Sequence, residues 1–494
     1  MTAPWTVQML TAALAKGETT AEAVAEQSLA RIAARDARLN AIITPNPEVL
    51  EDARRIDARR AAGQAVGLLA GVPVLVKDTM DMAGLPTTGG WSLLSARAGG
   101  TDLIPARDSA VVARMRRAGA LLLGKTNVPV MSASGTNAND SWAGPTRNAI
   151  AVDRAPGGSS TGSATGVAAG YAVIGLAEET GGSIQNPAAA QGLVGIKPTF
   201  ALVPNSGVMP LANSTRDVVG PVAMTVADAA IALDVLAGYS ADDPKTVAGI
   251  GRRPAGGYAG SLVAGALQGK RIGLYGPGWR DAPLAPATQA LFAQACDGLR
   301  ELGAVLVRDP FEGSGFAQLA RFVDAIPYDP RGEESVVYDF DRYLAGLGPQ
   351  SAIQSLEMLK QVTGADPFSR SGPLGYLWEM EGFAALCADY ANPPDLGEFL
   401  AVREDYLTVF DRVMSAHRLD AMVMPQTRAE PPAVFSPDPI LETAVSEINI
   451  AGLPGVTVPA GLYPSGAGFG LLFVGRLWSE GDLLSYAAEY EAIT

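Results

Sequence analysis

Three apolar runs before residue 180 limit the folds open to this chain. Gly71-Val72-Pro73-Val74-Leu75-Val76, Ala120-Leu121-Leu122-Leu123 and the stretch from Tyr171 to Leu176 all lack the polar-apolar alternation of a strand with one wet face. Runs this short and continuous read as strands buried on both sides. Helical patterns lie between them: Ala21 to Ala33 behind the candidate caps Thr19 and Thr20, Glu48 to Ala62, and Ser109 to Ala118, with Asn40 to Ile43 a short strand. Such alternation predicts an α/β fold, a large sheet covered by helices on both faces. Sheets of this kind present functional groups where strands end, which directs attention to Lys77-Asp78 and Lys125.

The rest of the chain fits the same plan. Val222 to Leu236 reads as a core helix, 238 to 265 as an irregular glycine-rich excursion, Gly269 to Tyr275 as a strand, Ala287 to Leu302 as a helix and Ala304 to Val307 as a strand. Residues 308–400 differ in texture. Phe311, Phe316, Phe322, Tyr328, Tyr338, Phe340, Tyr343, Phe368, Tyr376 and Trp378 are scattered among acids, glycines and prolines. This segment reads as a helical, aromatic-rich insertion that either lines a pocket or forms an outer layer of the core. Strand-and-turn texture returns from Asn449 to Gly461, and with no internal repeat or linker in view, 1–494 reads as a single domain.

Composition removes several functions. A formal charge of −14, from 37 basic and 51 acidic residues, argues against a broad nucleic-acid surface. At 48% hydrophobic and 18% charged, the chain is not of disordered composition. The start Met1-Thr2-Ala3-Pro4-Trp5 lacks a signal-peptide pattern, and no run reaches the 18 or so apolar residues a membrane span needs, so a cytoplasmic location is expected. Cys296 and Cys387 are too few for a disulfide framework and are expected as buried thiols. One histidine, His417, rules out a histidine-rich metal centre, and neither a metal nor another cofactor is expected.

The same count bears on catalysis. His417 is the only candidate imidazole base, yet it sits where a helix should end before the strand Ala421 to Pro425, which suits a helix-terminal residue placed against the dipole. Lysine replaces histidine as base when its surroundings keep it neutral. Lys77, closing an apolar strand, is the best placed; Lys125 ends a similar run and Lys197 sits in a turn, and the plainer reading of Lys77 is a pair with Asp78. Gly157-Gly158-Ser159-Ser160-Thr161-Gly162-Ser163 lacks the lysine of a phosphate-binding loop. Its glycines read as close packing, or as a coil offering backbone N–H groups to an oxyanion, as does Thr180-Gly181-Gly182-Ser183.

Lys77 after its apolar strand, then Gly157 to Ser163, then Gly181-Gly182-Ser183-Ile184, with Ser183 standing 24 positions after Ser159, resemble the amidase signature family. The resemblance runs from about Thr20 to Leu236 and returns from Gly452 to the C-terminus. It implies a large mixed, twisted sheet and a Ser, cis-Ser, Lys triad. In this chain Ser183 matches the nucleophile, Ser159 the bridging serine after a cis peptide bond, Lys77 the base, and the N–H groups of Thr180, Gly181, Gly182 and Ser183 the oxyanion hole. The chain departs from the family pattern in three places. Glu178-Glu179 replaces the common Thr-Asp and Gln185 the common Arg, so Glu179 with Gln185 would make a charge-to-amide hydrogen bond in place of an ion pair; Thr161 also stands where glycine is usual.

The activity implied is hydrolysis of a carboxylic acid amide through an acyl-enzyme, with a small-molecule amide as partner and no direct nucleic-acid or membrane contact; a homodimer stays open. The aromatics of 308–400 suggest neutral apolar or aryl amides. The alternatives carried forward are the glutaminase subunit of a tRNA-dependent amidotransferase and an enzyme acting mainly on carbamates or esters.

Overall fold

A computed structural model describes residues 5–133, 136, 138–321, 329–349 and 351–494. Phe322 and Tyr328 of the aromatic-rich segment, and Met1 to Pro4 at the start, lie outside the described residues. Eleven strands form one sheet: β1 (Ile42–Pro45), β2 (Pro73–Lys77), β3 (Leu121–Thr126), β4 (Ile174–Glu179), β5 (Val194–Lys197), β6 (Val218–Ala223), β7 (Arg271–Leu274), β8 (Val305–Val307), β9 (Ala421–Pro425), β10 (Gly455–Leu462) and β11 (Gly468–Val474). Their order is β1-β3-β2-β4-β6-β5-β10-β11-β9-β7-β8. The sheet is mixed: β2 runs parallel to β3 and β4, and β7 parallel to β8 and β9, while β6, β5, β10 and β11 alternate in direction between them. Helices cover both faces.

The expected strands are buried because their sequences leave no wet face. Every residue of β2, β3 and β4 is buried, including the charged ends. Each fully buried Val, Leu or Ile contributes roughly 1.5–3 kcal/mol, which offsets the cost of carrying polar groups into the same layer. Helix boundaries follow their caps. The Thr20 hydroxyl accepts from the Ala23 N–H at the start of Ala21–Leu39, and Asn40 closes that helix in the left-handed region at φ 54°. Asn40 therefore caps the helix, and the strand expected from it begins two residues later.

Several expectations need correction. A helix at Val7–Lys16, capped by Thr6 and ended by Gly17, precedes the first one read from sequence. The run taken as one helix from Val222 divides into the end of β6 and a helix at Val226–Leu236 capped by Thr225, because a short buried apolar run carries no period that separates strand from helix. Lys197 is the last residue of β5, not part of a turn, and Cys387 is half-buried while Cys296 is buried. Within 308–400 the described residues form helices at Val336–Gly346, Leu356–Thr363 and Phe383–Ala388. Phe340, Tyr343, Phe368 and Phe383 pack with Trp91, Met131 and Met209, whereas Phe311 and Phe316 join Trp279 and Phe410 in a separate cluster. Among the described residues, no helix is long and apolar enough to cross a membrane.

Candidate active site

β2 lies between β3 and β4 in the sheet, and its last residue, Lys77, has a fully buried side chain. Three oxygens meet its ammonium: Ser159 Oγ at 2.8 Å, the Glu178 carbonyl at 3.2 Å and Glu178 Oε2 at 3.0 Å. Burial pushes the Lys77 pKa below the ordinary lysine value, and Glu178 opposes that shift. The pairing with Asp78 considered from sequence does not occur. Asp78 is 3.0 Å from Lys125, whose ammonium also donates to Thr87 Oγ1 at 2.6 Å and to the Pro86 carbonyl at 2.9 Å. Lys197 is likewise buried and pushed down to about 8 by burial, but it donates to the Leu453 carbonyl at 2.8 Å. Of the three strand-end lysines, Lys77 alone meets a serine.

The glycine-rich segment carries Ser159 to that lysine. The Gly158–Ser159 peptide bond is cis, and the Gly158 N–H donates to Asn186 Oδ1 at 2.9 Å. Ser160 Oγ accepts from the Glu178 N–H and donates to the Glu178 carbonyl, both at 3.2 Å, which fastens the segment to the end of β4. Small residues in the helix Thr161–Ala168 let it close on the sheet. A Cβ at Gly162 would overlap backbone atoms of Ala41 and Asn127, so here the close-packing reading of the glycines holds.

The Thr180–Ser183 loop leaves the end of β4 and leads into the helix Gln185–Ala190. Its serine is partly exposed, whereas Ser159 is 1% exposed and Lys77 0%. Of the three side chains, Ser183 is therefore the one open to solvent, while Ser159 and Lys77 are both buried. The backbones of the two serine segments are joined, Ser160 N–H donating to the Ser183 carbonyl at 3.4 Å. Gly182 adopts φ 88°, a left-handed conformation, and within the described residues the N–H groups of Gly181, Gly182 and Ser183 meet no acceptor. Consecutive free N–H groups form a cradle for a developing negative charge.

Beneath the loop sits the Glu179 carboxylate. Oε2 accepts from the N–H groups of Ile184 at 2.9 Å and Gln185 at 3.2 Å, and Oε1 from Gln185 Nε2 at 2.6 Å and Asn449 Nδ2 at 3.0 Å. Gln185 is fully buried, so its amide faces this carboxylate and not solvent. Other braces were not read from sequence. The Thr180 hydroxyl donates to Asp217 Oδ1 at 2.5 Å, and Asp217 is pushed up to about 7, first by burial and then by Glu178. Arg216 Nε donates to the Thr180 carbonyl at 3.2 Å, and Asn186 Nδ2 to Glu442 at 3.3 Å. Buried polar residues such as Asn186, Arg216 and Asp217 were the available signal, but their partners lie too far along the chain for spacing to reveal. His417 ends the helix Gly397–Ala416, is exposed, and makes none of these contacts.

Gln185→Ala is expected to lower kcat about tenfold with KM within twofold, because a loosened loop loses transition-state binding first. The change also leaves a buried hole and a Glu179 oxygen with one donor fewer, so the melting temperature should fall by a few degrees. Steady-state kinetics with a thermal melt check both; a kcat within twofold of the parent would retire the brace.

The amidase family model matches residues 23–484, which is most of the chain. The chain belongs to the amidase family. It is an amidase-signature hydrolase acting on amide C–N bonds. Among curated relatives, it is 33% identical to a glutamyl-tRNA(Gln) amidotransferase subunit of Symbiobacterium thermophilum, over 97% of this chain and 94% of that protein. The corresponding amidotransferase subunit of Nitratidesulfovibrio vulgaris is 34% identical over 96% and 93%. Among solved structures, the native peptide amidase of Stenotrophomonas maltophilia superposes with a TM-score of 0.78 at 33% identity, covering 99% of this amidase and 96% of that chain. A bacterial aryl acylamidase superposes at 0.76 with 26% identity, over 99% and 96%.

Proposed function

We propose that this amidase hydrolyses the carboxamide of an amino acid or peptide by acylation of Ser183, with Ser159 and Lys77 moving the proton. The observation that carries this reading is the 2.8 Å bond from buried Lys77 to buried Ser159, on a segment whose Ser160 N–H donates to the carbonyl of the partly exposed Ser183. Neutral Lys77 takes the Ser159 proton as Ser159 takes that of Ser183, and Ser183 Oγ bonds to the carbonyl carbon. The carbonyl oxygen becomes an oxyanion held by the N–H groups of Gly181, Gly182 and Ser183. The proton then returns through Ser159 to the leaving nitrogen, which cannot depart unprotonated, and water repeats the sequence on the ester.

The choice of substrate rests on the relatives: peptide amidases on one side, and on the other a component of an enzyme that amidates glutamyl-tRNA. Apolar or aryl amides have less support, because Phe311, Phe316, Phe340 and Phe368 are each at most 2% exposed and occupied in packing. Residues 308–400, as part of one domain over 1–494, lend Tyr338, Asp339, Arg342 and Tyr343 to a cavity of about 620 Å³, but Lys77, Ser159 and Ser183 do not line it, so it carries no argument for the substrate. A second reading, the glutaminase subunit of an amidotransferase, is favoured by amidotransferase relatives at 31–34% identity. Measuring kcat/KM on glutamine, peptide amides, amino-acid amides, aliphatic amides, anilides and carbamates tests both. A preference for anilides or carbamates overturns the proposal; glutamine turnover that appears only with added partner proteins selects the second reading.

His417→Ala should leave kcat within about twofold, since an exposed residue outside the site contributes no proton transfer. Turnover reduced 1000-fold or more in a folded variant would restore histidine as the base.

A further inference from the structure

Two adjacent acids end β4, and the pleat sends them to opposite sides. Glu179 goes beneath the nucleophile loop, and Glu178 goes to Lys77. The Glu178 side chain is 1% exposed, its Oε2 is 3.0 Å from the lysine nitrogen and accepts from Thr79 Oγ1 at 3.2 Å, and its Oε1 meets no hydrogen-bond partner among the described residues. A buried carboxylate so incompletely solvated is costly to keep unless a cation faces it. The cation facing it is the ammonium form of Lys77.

We propose that Glu178 is a positioning residue for amide hydrolysis, its carboxylate stabilising the ammonium that forms on Lys77 when the lysine takes the serine proton. The proposal rests on the reading of Lys77 as base. Protons balance without passing through Glu178. The Ser183 proton moves to Ser159 as the Ser159 proton moves to Lys77 Nζ, the carboxylate stays ionised beside the new ammonium, and the proton leaves on the amide nitrogen. Without the carboxylate, burial would dominate at Lys77, and the lysine would be neutral over a wider range but a weaker base for drawing the proton. The other charged groups acting on the pair are Asp217, before β6, and Glu179; Asp78, next in sequence to Lys77, is engaged by Lys125. Asp217 and Glu179 act over longer range and have their own donors, Thr180 for one and Gln185 and Asn449 for the other.

The test is the pH profile of kcat for the full-length enzyme and its Glu178→Gln and Glu178→Asp variants on one amide substrate. In the glutamine variant the acid limb should move to lower pH by about one unit, as expected when an opposite charge within 4–6 Å is removed. Its plateau kcat should fall about 10- to 100-fold, with KM within threefold. The aspartate variant, with a shorter reach, should recover part of the rate and show a smaller displacement in the same direction. Should the glutamine variant not fold, the aspartate limb decides alone. A limb that stays in place or moves to higher pH overturns the proposal, whatever happens to the rate or melting temperature. Failure of the underlying reading looks different: Lys77→Arg would then remain active. An inactive Lys77→Arg with an unmoved Glu178→Gln limb rejects the role of Glu178 alone.

Discussion

Lys77→Arg should lower kcat/KM about 10⁴-fold, the upper range for removing a positioned proton acceptor. The lysine sits in a fully buried slot among three oxygens, and a longer planar guanidinium with five donors does not fit a cage built for a compact ammonium. Even if accommodated, it would keep its proton. Lys77→Ala should be equally poor and should also lose the acid limb of the pH profile. The direction of that limb follows from burial: the native pKa of Lys77 lies below the ordinary lysine value, so the neutral, active form builds up as pH rises, and at lower pH than for an ordinary lysine. Ser183→Ala sets the floor for both variants, having no oxygen to acylate. The measurement is kcat/KM with an acylation burst on an activated ester or amide. More than a few per cent of parental turnover in the arginine variant would rule out proton acceptance by Lys77.

The second large effect is expected at Gly182. Its φ of 88° is one that side chains rarely adopt, and a Cβ there would overlap the Glu442 carboxylate. Glu442 cannot easily withdraw, since it is held by Gln426 Nε2 at 3.0 Å and by Asn186, which also grips Gly158. Gly182→Ala must therefore turn the loop and swing its N–H groups away from where the oxyanion forms. A kcat lower by about 10²–10³ is expected, with KM changed far less, matching the loss of an oxyanion donor. A crystal structure of the variant with these N–H groups in place and kcat within fivefold of the parent would refute this use of the loop.

Much of this arrangement was legible in the chain. Continuous apolar runs marked β2, β3 and β4 because nothing in them tolerates water, and the spacing of Lys77, Ser159 and Ser183 carried the resemblance that led to the site. The helix Val7–Lys16 was missed although Thr6 and Gly17 supply ordinary start and stop signals, and β6 was merged with the helix after it because both are apolar. Glu178 and Glu179 were read together as one departure from the family pattern. Only the strand geometry, which turns neighbours to opposite sides, separates their surroundings. Asn449, 270 residues beyond Glu179, and Glu442, 256 beyond Asn186, form contacts that no local pattern encodes.

The strand order also has a consequence during synthesis. β5 joins the second half of the sheet only by pairing with β10, and β9, β7 and β8 connect to the first half only through β11. At about 5–20 residues per second on the ribosome, the edge of β5 waits on the order of 10–50 s for β10 to emerge. For most of that interval the nascent chain carries the serines and the lysine, while Glu442, Asn449 and β10 have yet to be made. An unpaired, apolar strand edge is an open template for other chains, and this one stays open until the closing stretch of the polypeptide covers it.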